Sequence, residues 1–425
     1  MPNNLNSNVT SKVARVFLEE FERARVITKT VNTSLISSEF TPQFGETVRF
    51  KRPHQYLSHR TAGGDISAVT KNSIISGSAP ATVQNYFTVP IEWTNREEAL
   101  QLDQLAEIIR PAAQQIAVDL ETDFSRFMAY RSGLHSGTVG TPIAQWGDVA
   151  SVGALMDTIG VPQSGERYAV MNPYAIKALA DTQSGLASGS NSLVDTAWEK
   201  AKIQKNFGGL MALTSSTLPQ IQLGATADRV GFVVSAPDQT YVTAKDTMTQ
   251  TVTIGGLTNS TTNALRAGDV IKVTQSGRSL LNIRSREVAY ADGSPIPFYW
   301  KVVTGGNTNG SGEVTVTVTA AALNEANGQY NNISSAIATN DTVEILGSAN
   351  QFMQPSFFYH KDAFGIGTIK LPKLHTWDTL ATTDDGLSIR VTKYANGDAN
   401  TNQIRFDLLP AYACLNPLFA GLFHG

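Results

Sequence analysis

Residues 94–131 read TNREEALQLDQLAEIIRPAAQQIAVDLETDFSRFMAYR. Leu102, Leu105, Ile109, Ala112, Ile116, Leu120, Phe124 and Phe127 recur every three or four residues, which lays one apolar stripe along a helix. Thr94 and Glu97 stand at capping-box spacing, so that side chains satisfy the first bare amides. Glu97, Glu98, Asp103 and Glu107, with Arg110, Arg126 and Arg131, fall on the other faces. At about 1.5 Å per residue, a continuous helix here reaches on the order of 55 Å. Pro111 lacks the amide that the ladder needs, which predicts a kink or a break. A long helix with one apolar face is the expected spine on which other layers lie.

The segment before it alternates with period two. In Thr47–Lys51, Thr47, Arg49 and Lys51 face one way and Val48 and Phe50 the other. In the return limb, Val83, Phe87, Val89, Ile91 and Trp93 share one side, the signature of a half-buried strand. Between them lies the polar stretch RTAGGDISAVTKNSIISGS. Two strands joined by a long polar excursion predict an extended hairpin arm, and Pro53 predicts an edge or the end of the ladder. Ahead of the arm, Val13, Val16, Phe17, Leu18 and Phe21 mark a short amphipathic helix.

Beyond the spine, Trp146, Val149, Val152, Leu155, Met156 and Ile159 predict a helix ending at Gly160. A strand at Tyr168–Met171 follows, then a helix capped by Asn172 with Pro173 at its first position. A further helix is expected around Leu193–Ile203, and a strand in GLMALTSSTLP. From Gly224 to Ser348 the composition turns to Thr, Val, Gly, Asn and Ser. Four alternating runs, TQTVTI, AGDVIKV, EVTVTVT and DTVEIL, predict an inserted small β-barrel or sandwich. Mixed sequence then resumes: a helix-like HKDAFGIG, a strand GLSIRVTKYANG and a last apolar strand IRFDLLPAYACLNP. The expected organisation is an arm over 1–40, a hairpin loop over 41–93 and the spine over 94–146. An α/β domain over 147–223, a barrel over 224–348 and return strands over 349–425 complete it.

A net charge of -3 over 425 residues excludes the basic footprint of a dedicated DNA binder. One cysteine, Cys414, excludes an internal disulfide framework. No apolar run reaches bilayer length, and MPNNLNSNVTSK lacks the pattern of a signal peptide, so use in a cytoplasm and no membrane partner are expected. HExxH, GxSxG, P-loop and GxGxxG patterns are absent, and the six histidines show no metal-ligand spacing. Cys414, among apolar residues, reads as a packed thiol. Neither enzymatic activity nor a cofactor is expected. The most charged local feature is basic: Arg49, Lys51, Arg52, His54, His59 and Arg60 along the arm. It reads as a contact with acidic groups of a partner chain or with nucleic acid, or as a solvated strand face.

Eight motifs carry a resemblance: FKRPHQ (50–55), GDIS (64–67), DLET (119–122), YAVMNP (168–173), NFGG (206–209), LPKLH (371–375), GLSIRVTKYANGDAN (386–400) and RFDLLPAYACLNP (405–417). In these motifs and in element order the chain resembles the tailed-phage capsid fold of the Hong Kong ninety-seven type. Within it, the chain is similar to the major coat proteins of short-tailed Salmonella and Shigella phages. The resemblance implies an α+β shell subunit with an inserted all-β barrel, assembled in a bacterial host cytoplasm. Its implied partners are copies of itself in hexamers and pentamers, a scaffolding protein, a portal protein and enclosed double-stranded DNA bound without sequence specificity. It implies that the arm lies over an adjacent subunit. In relatives a long charged loop of the insertion bridges capsomers; here the corresponding hairpin, SAPDQTYVTAKDTM, is short and offers only Asp238, Lys245 and Asp246 as expected inter-subunit contacts. A covalent cross-link through Lys51 or Lys71 is not expected. The alternative from another class is a β-rich binding protein or adhesin, which suits the Thr/Asn/Gly-rich segment but not the long charged spine.

Overall fold

The computed structural model describes residues 6–33, 47–94, 105–163, 166–184, 200–201, 203, 206–375, 378–397 and 399–425. Two compact units divide the chain. The first holds Met1–Arg49, Pro80–Arg126 and Phe364–Ala413, and the second holds Phe50–Ala79, Phe127–Ala363 and Cys414–Gly425.

In the first unit, helix α1 (Asn6–Ala24) buries Val13, Ala14, Phe17 and Phe21. Phe17 stacks on Phe406 with ring centroids 4.4 Å apart. Helix α2 (Leu105–Arg131) is the expected spine, and Ile109, Ala113, Ile116, Leu120 and Phe124 are almost completely buried along it. Pro111 lies inside α2 without ending it, so the expected break does not occur. At the end of the stripe Met128 is buried and Phe127 only half-buried, because a 3.6-residue period drifts off a fixed spacing of three or four. The Thr94–Glu97 capping box, Leu102 and most of the helix expected at Leu193–Ile203 lie outside the described residues. Glu121, in the DLET motif, is buried and accepts hydrogen bonds from the Ile27 and Thr28 amides at 2.8 Å and from Thr28 Oγ1 at 2.6 Å. Burial raises its pKa, and those bonds work against the rise.

Two runs that read as single strands each prove to be two. Ser78–Val83 and Phe87–Thr94 stand in different sheets, as do Pro410–Cys414 and Thr401–Leu408. The paired chains change sheet at the same place. Phe87 is opposite Leu408 and Val83 is opposite Ala411, with the Gln84 amide donating to the Pro410 carbonyl at 2.9 Å where they cross over. Proline cannot extend the first ladder, so the period-two pattern continues while the pairing does not. One sheet runs Phe87–Thr94, Thr401–Leu408, Ser388–Asn396, Thr379–Thr382; the other runs Phe364–Thr368, Pro410–Cys414, Ser78–Val83, Thr47–Lys51. HKDAFGIG, expected to be helical, is a 3-10 turn at Lys361–Ala363 leading into the strand Phe364–Thr368.

In the second unit a six-stranded mixed sheet runs Leu134–Ser136, Ala420–Phe423, Ser356–His360, Arg167–Met171, Leu210–Thr214, Asn206–Phe207. Helix α3 (Trp146–Ile159) ends at Gly160, whose φ of 87° is the left-handed cap that glycine adopts without strain. Helix α4 (Pro173–Ser184) opens with the Asn172 side chain accepting from the Tyr174 amide at 2.7 Å. A closed six-stranded barrel is built from Val230–Val233, Thr249–Gly255, Val314–Thr319, Tyr299–Thr304, Val270–Val273 and Thr342–Ile345, in that order around the ring. Its lining follows the alternation: Val252, Ile254, Val316 and Val318 are buried, whereas Thr251 and Thr315 are exposed. Closure leaves no open strand edge.

Candidate functional site

The arm of the second unit begins where the strand Thr47–Lys51 ends. Along that strand Thr47, Arg49 and Lys51 are exposed and Val48 is buried. Arg52 continues the inward parity of Val48 and Phe50, and it is 9% exposed. Its guanidinium donates to five backbone carbonyls: Ser78 and Lys245 at 3.1 Å, Asp246 at 3.2 Å, Cys414 at 3.4 Å, and Leu415. Burial lowers the Arg52 pKa, against the opposing influence of Cys414, Tyr241 and Asp246. The Asp246 carboxylate accepts from the Ser78 amide at 3.2 Å and hydroxyl at 2.6 Å, and Lys245 Nζ lies 3.0 Å from its other oxygen. Three residues expected to face other subunits therefore meet inside one chain. The exposed basic face excludes Arg52 and retains Arg49, Lys51, His54, His59 and Arg60.

The segment bearing Lys245 and Asp246 joins the antiparallel pair Val230–Val233 and Thr249–Gly255, and it has no strands of its own. It contains a one-turn helix, α5 (Tyr241–Ala244), which Asp238 supports by accepting from the Thr240 amide at 3.0 Å and the Thr243 hydroxyl at 2.7 Å. Those bonds lower the Asp238 pKa. Tyr241 stacks on Tyr330, with centroids 3.5 Å apart and planes 8° apart. Burial first, and Tyr330 second, push the Tyr241 hydroxyl up to about 12. Gly77 allows the approach: a Cβ there would stand 2.5 Å from the Tyr241 hydroxyl and 2.7 Å from the Lys245 carbonyl.

Loops of the barrel segment hold both limbs of the arm. Tyr330 donates to the Ile75 carbonyl at 3.3 Å and Gln329 to the Ser73 carbonyl at 2.6 Å, while Arg286 donates to the Gln55 side chain. Arg286 also donates to the carbonyls of Asn331 and Gln329 at 2.7 Å. Between the limbs Asn72 imitates a strand partner, accepting from the Leu57 amide at 2.9 Å and donating to its carbonyl at 2.7 Å. A cleft of 720 Å³ beside them is lined by Leu57, Arg286, Tyr290, Asn327, Asn331 and Ser334, among others. Further out the arm is exposed, and Tyr56, Ile66 and Ile74 show 59%, 57% and 78% of their surface. Sequence reasoning missed Tyr241, Arg286, Gln329 and Tyr330. Arg286 is 231 residues from Gln55, and no periodicity links positions that far apart. For Arg52 the parity of the strand was a sufficient signal.

Pro111 belongs to α2 and is not part of this cluster. Cys414 is a buried thiol with Sγ 3.8 Å from the Arg131 carbonyl, and burial pushes its pKa up. Among the described residues no group of three His, Cys, Asp or Glu side chains is arranged to hold a metal, and no helix is long and apolar enough to cross a membrane. The cluster orients backbone segments and gathers no nucleophile beside a base.

Over the full length of both chains, 426 aligned residues, 42% are identical to a protein described as the major capsid protein of Acyrthosiphon pisum secondary endosymbiont phage 1. The family model described as "P22 coat protein - gene protein 5" matches residues 2–424. Among solved structures, the capsid of cyanophage P-SCSP1u is 12% identical, with a TM-score of 0.44, over 94% of this chain and 88% of that one. A virus-like particle from Pyrococcus furiosus is 7% identical, with a TM-score of 0.42, over 98% and 99%. An α+β chain with a closed inserted barrel and this relative is a phage major capsid protein, a structural subunit of the virion shell. Within that class, the chain belongs to the P22 coat protein family.

Proposed function

We propose that copies of this chain form hexamers and pentamers of an icosahedral shell of the Hong Kong ninety-seven type, assembled with a scaffolding protein in a bacterial cytoplasm. The shell takes up double-stranded DNA through a portal protein. The role is structural and non-enzymatic. One observation carries the reading: the arm is held at its base, yet it presents Tyr56, Ile66 and Ile74 to solvent. An anchored arm with uncovered apolar side chains is completed by a surface of another molecule, and in a shell that molecule is the next copy. Arg49, Lys51, His54 and Arg60 make the polar contacts there. Arg52, Lys245 and Asp246 act from within the chain by setting the direction of the arm, and Asp238 supports the turn that carries them. The proposed division keeps 1–40 as the N-terminal arm, 41–93 as the extended loop, 94–146 as spine and peripheral region, 147–223 as the axial domain, 224–348 as the barrel and 349–425 as return strands. Pro111 is the proposed bend of the spine. A net charge of -3 suits a wall that confines DNA without gripping it.

Electron microscopy of the protein expressed with and without a candidate scaffolding protein tests this reading. Closed shells that become regular in the presence of the scaffold are expected. Persistent monomers under both conditions would overturn it.

A further inference from the structure

Where the barrel strand Tyr299–Thr304 passes the end of the six-stranded sheet, three basic side chains are buried together. Lys301 is 1% exposed, His135 on the strand Leu134–Ser136 is 5% exposed and His424, after Ala420–Phe423, is 6% exposed. The His135 ring centroid lies 5.4 Å from that of Tyr299 and 5.5 Å from that of His424. Among the described residues, Lys301 Nζ, His135 Nδ1 and His424 Nε2 have no hydrogen-bond partner. His135 Nε2 is 3.0 Å from the Gly137 carbonyl, which only an N–H can satisfy, so in the neutral ring Nδ1 carries the lone pair.

Further charges face the group from neighbouring strands. Lys272 adds to the positive field at His135, and Glu344, which acts on Tyr299, is committed to Lys272 at 3.5 Å. Thr319 stands opposite Lys301 in the ladder and carries no charge. A buried ammonium or imidazolium without a carboxylate is costly, and the cost disappears once the group reaches water.

We propose that this cluster makes the seat of the barrel on the sheet edge sensitive to protons: the joint holds while its bases are neutral and loosens as they are protonated. The direction of each titration agrees. Burial brings Lys301 from 10.5 down to about 7. Burial, then Lys301, brings His424 from 6.5 to about 4. Burial, then Lys301 and His424, holds His135 well below 6.5. All three are bases with pKa values depressed in the closed state, so the open state binds more protons. The closed state therefore loses stability as pH falls from 10.5 towards 7 through Lys301, and again from 6.5 towards 4 through the histidines.

Hydrogen exchange of the unassembled full chain, corrected for intrinsic rates, reads the joint locally. Between pH 9 and pH 7 the opening constant of amides in Tyr299–Thr304 and Ala420–Phe423 is expected to rise up to about tenfold per pH unit, one proton being taken up on opening. Amides of Ser388–Asn396, in the other unit, are expected to stay constant. Lys301→Met is expected to abolish the rise over that range and keep the later one, due to the histidines. An equal response in both regions would overturn the proposal, as would an unchanged slope in Lys301→Met. If that variant does not fold, the regional comparison in the unaltered chain decides alone.

Discussion

Arg49, Lys51 and Arg52 look equivalent in composition and differ in what surrounds them. Strand parity turns Arg49 and Lys51 outward and Arg52 inward, where a planar fork can reach carbonyls from Ser78, Lys245, Asp246, Cys414 and Leu415. Arginine suits this task because its five donors spread in one plane, and lysine cannot reproduce them. Arg52→Ala leaves those carbonyls without their partner and is expected to cost about 1–3 kcal/mol of folding stability, measured by urea denaturation of the unassembled chain. Arg49→Ala and Lys51→Ala are expected to leave the denaturation midpoint nearly unchanged and to lower shell yield instead. Equal losses of stability in all three variants would contradict this division of roles. Asp407 shows a similar concentration of partners: it is fully buried between Arg390 at 2.6 Å and Arg405 at 2.6 Å. Burial acts to raise its pKa, but the hydrogen bonds from Arg390, Thr88 and Arg405 outweigh it and hold the carboxyl below its usual range.

At the scale of elements, the arm and the spine show how far a local pattern reaches. The arm is two limbs without a regular ladder between them beyond Arg52 and Gly77, so Asn72, Gln329, Tyr330 and Arg286 supply bonds that a strand partner would otherwise make. Arg286 adopts a φ of 60°, a region that costs a side-chain-bearing residue free energy and persists where the surroundings over-determine it. Arg286→Ala is expected to release the first limb while the barrel stays folded. Limited proteolysis should then cut faster between Gln55 and Ser73, with the barrel fragment surviving, and an unchanged cleavage pattern would refute the anchoring role. In the spine, Pro111 deprives one turn of a hydrogen bond, yet α2 continues because the apolar stripe from Ile109 to Phe124 is held by packing. Burial of that face outweighs a local penalty of about 3 kcal/mol.

For the whole molecule, what the sequence by itself determined is local features set by a short repeat or a cap. The spine stripe, Asn172 at a helix start, Gly160 at a helix end and the Thr/Val alternation of four barrel strands are all local rules, and each stands in the structure. The barrel strands Val230–Val233 and Tyr299–Thr304 are not legible this way, since VGFV has no polar alternation and Lys301 interrupts the apolar run of YWKVVT. Ring closure satisfies both edges of each of the six barrel strands. Residues 224–348 expressed alone are therefore expected to unfold in one cooperative transition when followed by circular dichroism in urea. A gradual, featureless loss of signal would show that the barrel needs the rest of its unit. Only the tertiary structure decided which partners the local elements take. It moved the chain between sheets at Pro410, turned Arg52, Lys245 and Asp246 toward one another, and gathered Lys301, His135 and His424 in one buried cluster. The physical reason is that backbone periodicity acts over a few residues, whereas these contacts join positions up to 363 residues apart. Such partners are selected by the free energy of packing the whole unit, which no window of sequence contains.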